Sequence, residues 1–155
     1  MEIKASLGKP YSDEQRMSFI VENNHNQGYE IRETAEALEA WGYTDEEIEQ
    51  QEAERIANLH LTRGDVFRAL LLARQVTRAQ LRAMIEQMPD ETPEQALAKE
   101  LALIDFDEAL DFYRGIALVD TLGLALGISE EQMTQFFETN DWHVLIPDTR
   151  NEVQE

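Results

Sequence analysis

Helix-start signals recur along this sequence and constrain its fold more than any other feature. Ser12-Asp13-Glu14-Gln15 is a capping box, in which the Ser and Gln side chains each accept a hydrogen bond from the other residue's backbone N–H. Thr44-Asp45-Glu46-Glu47 has the same form. Four more residues of the capping type follow: Thr62, Thr77, Thr92 and Ser129. Closely spaced starts predict a mainly α protein of the all-α class, a compact bundle of about six short helices.

Apolar residues follow helical spacing after most of these caps. The third capped segment is the most apolar and is expected to lie in the core. The segment that follows Thr92 is expected to form a helix through Leu97, Leu101 and Ile104 as far as Tyr113.

A small β element is expected beside the helices. Tyr29–Arg32 alternates in the manner of a short strand, and the continuation to Trp41 permits either a helix or a hairpin, of which we favour the hairpin. Trp142–Ile146 is expected to be a terminal strand or an extended segment. We expect residues near Tyr29–Arg32 to pair with Val144–Ile146.

These segments predict three regions. Residues 1–60 hold the first helix, the β element and a connector helix, residues 61–146 form the helical core domain, and residues 147–155 form a disordered tail. The connector helix is dense in Glu and Gln and has Ile48 and Ile56 among its few large apolar positions. Such a thin apolar stripe is typical of an exposed arm, so both isoleucines are candidate partner-binding residues.

Net charge limits the classes of partner. The chain carries 32 acidic and 13 basic side chains, a formal charge of −19. Nucleic acids and anionic membranes both require cationic surfaces, so we expect neither as a partner, whereas a basic protein would be attracted. The N-terminus shows no apolar signal core, and the apolar-rich stretch Ile116–Ile128 is too short to span a bilayer. A soluble protein of the cytosolic type is expected.

The charge is unevenly distributed. From Leu61 to Met88, five arginines face two carboxylates, a balance of +3, whereas from Asp90 onward sixteen carboxylates face three basic residues, a balance of −13. One explanation is intramolecular, with the basic helices lying against acidic ones. The other is a basic patch that binds a partner. Its candidate residues are Arg63, Arg68, Arg74, Arg78 and Arg82.

No catalytic or metal-binding pattern is present. Asp105, Asp107, Glu108 and Asp111 are clustered, but they lack the glycine-centred spacing of a calcium loop and are expected to form a solvated helix face. The chain contains no cysteine, its three histidines are widely separated, and its serines and glycines form neither a nucleophile elbow nor a phosphate loop. We therefore expect no enzyme activity, no cofactor and no metal.

Leu118–Phe137 imitates a helix-turn-helix, with a glycine stop between its two helices. A DNA-reading second helix would present Arg, Lys, Asn or Gln, but this one is dominated by glutamate. The segment is therefore interpreted as a helical hairpin.

Three stretches resemble small uncharacterised proteins that are encoded among tail and tail-fibre genes of bacteriophages and prophages of Gram-positive bacteria. The stretches are Tyr11–Tyr29, Tyr43–Phe67 and Phe112–Asp141. The resemblance implies a phage accessory protein that binds a tail or tail-fibre component during assembly, in the host cytoplasm or as part of the virion. It implies no activity and supplies no catalytic residues.

One alternative function remains open. The −13 segment would also suit an acidic inhibitor that mimics nucleic acid and occupies a basic groove on a host defence protein. An enzyme that uses paired carboxylates is the least favoured hypothesis. The sequence does not decide the oligomeric state.

Overall fold

A computed structural model describes residues 1–148, which divide into two units, one of residues 1–53 and one that begins at residue 54. The protein is mainly helical, as predicted, but it also contains two β-sheets, so the assignment to the all-α class is wrong. Of the tail predicted for residues 147–155, Pro147 and Asp148 are exposed, and the remainder lies outside the described residues.

The first unit is built on a three-stranded antiparallel sheet. Its strands are β1 (Glu2–Gly8), β2 (Glu30–Glu33) and β3 (Ala37–Gly42), with β3 in the centre. Helix α1 (Asp13–Ile20) continues into a π-helical turn, Val21–His25, and helix α2 (Asp45–Ala57) follows the sheet, with its last turn in the second unit.

Register places the apolar residues of this sheet on one face. Leu7 lies opposite Leu38 and Ala5 lies opposite Ala40, and the side chains of directly opposed residues share a face. Leu38 and Ala40 are fully buried. Ala37, Glu39 and Trp41 therefore lie on the other face of β3, whereas Gly42 shares the face of Leu38 and Ala40.

The second unit is helical and contains a two-stranded sheet. Strand β4 (His60–Thr62) pairs antiparallel with β5 (Asp111–Tyr113). The helices are α3 (Arg63–Arg74), α4 (Arg78–Glu86), α5 (Pro93–Glu108), α6 (Ala117–Ala125) and α7 (Glu130–Thr139), followed by a 3₁₀ turn, Trp142–Leu145.

Aromatic rings form the centre of the core in this unit. Phe106 and Phe112 are fully buried, and the ring centroid of Phe67 lies 5.0 Å from that of Phe106 and 5.7 Å from that of Phe112. Buried side chains from α4, α6 and α7 surround them, including Leu81, Ile85, Leu118, Leu122, Met133 and Phe136.

The predicted helix starts are confirmed. Reciprocal capping-box hydrogen bonds are present at Ser12, Thr44, Thr77, Thr92 and Ser129. Thr62 caps α3 by accepting from the backbone N–H of Asp65. These signals are reliable because each bond joins residues only three positions apart.

The helix expected to reach Tyr113 is too long by several residues. Helix α5 ends at Glu108, and the chain turns into β5. There Phe112 is buried opposite Leu61, and the backbone N–H of Arg63 donates to the carbonyl of Leu110 at 2.9 Å. In this segment, the pairing of β5 with β4 therefore replaces a continuation of helix α5.

The predicted pairing of Tyr29–Arg32 with Val144–Ile146 is also wrong. Strand β2 pairs with its sequence neighbour β3 in the favoured hairpin, which a turn at Thr34 closes: its hydroxyl accepts from the backbone N–H of Ala37 at 3.0 Å. A short local closure loses less chain entropy than a long-range one. Strand β1 was not predicted.

Two glycines give a matched test of packing in the second unit. A Cβ on Gly115 would lie 2.8 Å from the Cβ and 3.0 Å from the Cα of Ala57, so Gly115→Ala is expected to lower the free energy of unfolding by about 1–3 kcal/mol. Gly64→Ala adds a Cβ no closer than 3.9 Å to another atom in α3 and should be neutral or stabilising by up to about 1 kcal/mol. Urea titration measures both, and equal effects would contradict the close approach.

Candidate functional site

Helix α5 carries apolar residues on two opposite faces. Ala102 and Phe106 face the core, whereas Leu97, Leu101 and Ile104 are 61%, 51% and 49% exposed. At about 100° per residue, these three residues lie within roughly 60° of one another, on the side of the helix opposite Phe106. We call Leu97, Leu101 and Ile104 the α5 stripe.

Carboxylates border the α5 stripe. Helical geometry places Glu94 and Asp105 along one side, Glu100 along the other and Glu108 at the C-terminal end. Within residues 1–148, none of these four carboxylates lies within ion-pair distance of a basic side chain. The surface is therefore an apolar band with an uncompensated anionic border.

The first turn of α5 is fixed by its cap. Thr92 and Gln95 form the capping box, and Pro93 occupies the first turn, where its missing N–H does no harm. Lys99 extends from another side of the helix to Asp90, at 3.0 Å, and is largely covered. This lysine therefore does not neutralise the border of the α5 stripe.

The last turn of α5 is fixed by arginines of the preceding helices. Arg82 binds the Asp107 carboxylate in a two-pronged contact, with Nη2–Oδ2 at 3.0 Å and Nε–Oδ1 at 3.3 Å. Arg63 donates to the backbone carbonyls of Phe106 and Asp107. A cation at a helix C-terminus is favourable because the unpaired carbonyls there carry partial negative charge.

These arginines also lower the pKa of Asp107. The hydrogen bond from Arg82 lowers the pKa of Asp107 below its ordinary value, and the positive charges of Arg82, Arg78 and Arg63 lower it further. Three of the five predicted arginines thus gather around one carboxylate. The Arg82–Asp107 pair confirms, for these two residues, the intramolecular explanation of the charge asymmetry.

The remaining predicted residues lie elsewhere. Arg74 donates to the carbonyls of Leu126 and Leu145, and Arg68 is exposed beside Asp65, at 2.9 Å. Arg78 is exposed and lies over the ring of Phe67, with 5.6 Å between the guanidinium carbon and the ring centroid. On α2, Ile48 is about half exposed and Ile56 is half-buried.

The acidic cluster does not stay on one helix face. Asp105, Asp107 and Glu108 belong to α5, but Asp111 lies on β5 opposite Thr62. Within residues 1–148, no three His, Asp or Glu side chains are grouped as a metal site requires. In the same part of the chain, no helix combines the length and apolar character needed to cross a membrane.

No protein-family model matches the sequence, and no curated protein or solved structure is significantly similar to it. A role for the α5 stripe therefore depends on the chemistry of its own residues.

Sequence reasoning identified the α5 stripe residues as helical but not as exposed. Their spacing alone does not reveal the direction in which they point, because Ala102 and Phe106 follow the same period on the other side. A signal was nevertheless present: carboxylates flank Leu97, Leu101 and Ile104 along the helix.

We expect Asp107→Asn to destabilise the chain at neutral pH because it removes the carboxylate that Arg82 binds. The folded pKa of Asp107 lies below its unfolded value of about 3.9, so this stabilisation is present above that pH and is lost as pH falls through the folded pKa. The difference in free energy of unfolding between variant and wild type should therefore be largest near pH 7 and smaller at an acidic pH below that unfolded value.

Asp105→Asn is the matched control because Asp105 has no basic partner among the described residues. It should change stability little at either pH. A deficit for Asp107→Asn that is the same size at both pH values would contradict the assigned ion pair.

Proposed function

We propose that this chain is a non-enzymatic accessory protein that binds another protein through the α5 stripe. The partner presents an amphipathic helix whose apolar residues are flanked by lysine or arginine. One observation carries the proposal: three large apolar side chains of α5 are about half exposed, lie opposite its buried face and are bordered by unpaired carboxylates.

The apolar part of the surface supplies attraction. Covering the exposed half of each Leu or Ile side chain is worth about 1 kcal/mol. Residues at positions i, i+4 and i+7 of one helix form the pattern onto which a second helix packs. Three such contacts support a reversible complex.

The carboxylates decide what kind of helix fits. A basic helix would pair its flanking charges with Glu94, Glu100 and Asp105, as charged positions beside a coiled-coil seam do. A second copy of this chain would place acid against acid, and each chain carries a charge of −19. Charge complementarity therefore favours a different, basic partner.

We further propose that this partner is a tail or tail-fibre component of a bacteriophage. The support is the resemblance of Tyr11–Tyr29, Tyr43–Phe67 and Phe112–Asp141 to proteins encoded among such genes. Binding would take place in the host cytoplasm during assembly or persist in the virion.

A designed peptide tests the surface. The probe is a 16-to-20-residue amphipathic helix of about four turns or more, with leucines along one face and lysines beside them, and its twin carries glutamates in place of the lysines. We expect the lysine peptide alone to bind, more weakly as salt rises. Leu101→Gln combined with Ile104→Gln should weaken its binding at least about tenfold by fluorescence anisotropy, because the apolar contacts are lost.

Leu124→Gln is the matched control, since Leu124 on α6 is 86% exposed and lies outside the α5 stripe. It should leave peptide binding unchanged. Equal loss in both variants, or binding of both peptides alike, would refute the docking surface. The Leu101→Gln, Ile104→Gln double variant should also fail to recover the tail or fibre proteins that the wild type captures.

An acidic nucleic-acid mimic would instead keep its binding to a host protein in this double variant and lose that binding when its carboxylates are neutralised.

A further inference from the structure

Helices α6 and α7 enclose a small pocket in the second unit. The pocket has a volume of about 190 Å³, and its lining includes three buried aliphatic side chains, Val119, Ile128 and Met133. The exposed Leu124 also lines it. Apolar cavities of roughly 150 Å³ hold a molecule of the size of benzene. The pocket is therefore large enough for a short alkyl chain.

Gly123 keeps this pocket open. A Cβ at this position would lie 3.1 Å from Cε of Met133 and 3.6 Å from the carbonyl oxygen of Ile128. Gly123 belongs to the pocket lining itself. An alanine here would therefore press on the Met133 methyl group and fill part of the pocket.

Arg114 supplies a buried hydrogen-bond donor to the same pocket. This residue is 7% exposed, and its guanidinium group donates from Nε to Oγ1 of Thr134 at 3.2 Å and from Nη1 to Oδ1 of Asp120 at 2.6 Å. The other amino group, Nη2, donates to no residue within residues 1–148, and no enclosed side-chain nitrogen or oxygen of that part of the chain lacks a partner. Because Arg114 lines the pocket, its Nη2 is a donor that a ligand can reach.

Asp120 supplies an acceptor beside this donor. Its Oδ1 accepts from Arg114, whereas its Oδ2 accepts from no side chain among the described residues. The Asp120 side chain is 57% exposed and lines the pocket. One end of an otherwise aliphatic pocket therefore presents a free donor and a free acceptor on two neighbouring side chains.

The charges of the lining disfavour an ionic ligand. An anion would compete with the Asp120 carboxylate for Arg114, and it would be repelled by Glu130, which also lines the pocket and has no ion-pair partner within residues 1–148. A cation would meet the buried charge of Arg114, and repulsion is stronger where water is excluded. An uncharged ligand meets neither opposition.

We propose that this pocket binds an uncharged aliphatic alcohol. The alkyl chain lies against Val119, Ile128 and Met133, and the described lining is aliphatic and polar, with no aromatic ring to favour a planar ligand. The hydroxyl accepts a hydrogen bond from Nη2 of Arg114 and donates one to Oδ2 of Asp120, so both of its hydrogen-bonding functions are used. The proposal does not involve the α5 stripe.

Methyl NMR with 1-hexanol tests the pocket. The protein is labelled with ¹³C at the methionine methyl groups, and the Met133 signal is assigned by its loss in Met133→Leu. We expect 1-hexanol to shift this signal saturably in a titration to about 20 mM, and hexanoate and hexylammonium to bind more weakly. From 1-butanol to 1-hexanol, each added methylene should tighten binding roughly fourfold, because more apolar surface is buried.

Gly123→Ala tests the space for the alkyl chain. It should weaken the binding of 1-hexanol at least about fivefold, because the added methyl group occupies pocket volume. Gly64→Ala is the matched control, since Gly64 lies on α3 with no atom of another residue closer than 3.9 Å to the added Cβ and is not part of the described lining. It should leave binding unchanged.

Asp120→Asn tests the polar end. Neutralising this carboxylate leaves the Arg114 charge without its partner, so hexanoate should now bind more tightly than 1-hexanol. Glu131→Gln removes the same charge from the first turn of α7, outside the described lining, and should keep the wild-type preference for 1-hexanol.

Thermal melts followed by circular dichroism establish that each variant folds. The proposal fails if 1-hexanol does not shift the Met133 signal saturably, or if hexanoate or hexylammonium binds the wild type more tightly than 1-hexanol does. It also fails if Gly123→Ala binds 1-hexanol like the wild type, or if Asp120→Asn keeps the wild-type order of ligands.

Discussion

Burial of Phe106 determines which residues the helical unit presents to solvent. Because α5 is apolar on opposite sides, only one side can enter the core, and the aromatic ring that contacts Phe67 occupies it. Leu97, Leu101 and Ile104 are then turned outward by the geometry of the helix. Hydrogen bonds from Arg63 and Arg82 to the last turn of α5 keep the helix in this same rotation about its axis. One buried ring and two arginines therefore define the α5 stripe.

The same arginines explain why the border of the stripe stays anionic. The guanidinium groups of Arg63 and Arg74 donate hydrogen bonds to backbone carbonyls, and Arg82 is bound to Asp107. These three basic side chains are thus bound inside the second unit, where they stabilise helix ends and connections and do not neutralise the exposed carboxylates. Part of the charge asymmetry of the sequence is thus a division between three arginines that stabilise the second unit and the unpaired carboxylates that border the α5 stripe.

The features predictable from sequence are those that local bonds determine. Capping boxes join residues three apart, and the β2–β3 hairpin closes over a short turn, so both follow from nearby side chains. The β4–β5 pairing joins His60 to Tyr113, residues far apart in the chain with no local signal of each other. The register shift in β1 and the close approach of the Tyr29 ring to Gly42 likewise have no counterpart in a helical or strand period. The phage setting remains a prediction.

Folding of the second unit does not require the α5 stripe to be apolar. Leu97, Leu101 and Ile104 lie outside the buried core of the second unit, and polar residues with good helix propensity at these positions would be compatible with α5. The capping box and the buried Phe106 already account for the start and the orientation of this helix. The apolar character of its outer face therefore has no explanation in intramolecular packing within residues 1–148. An apolar surface outside the core that a basic helix would cover is the physical basis for the proposed binding role.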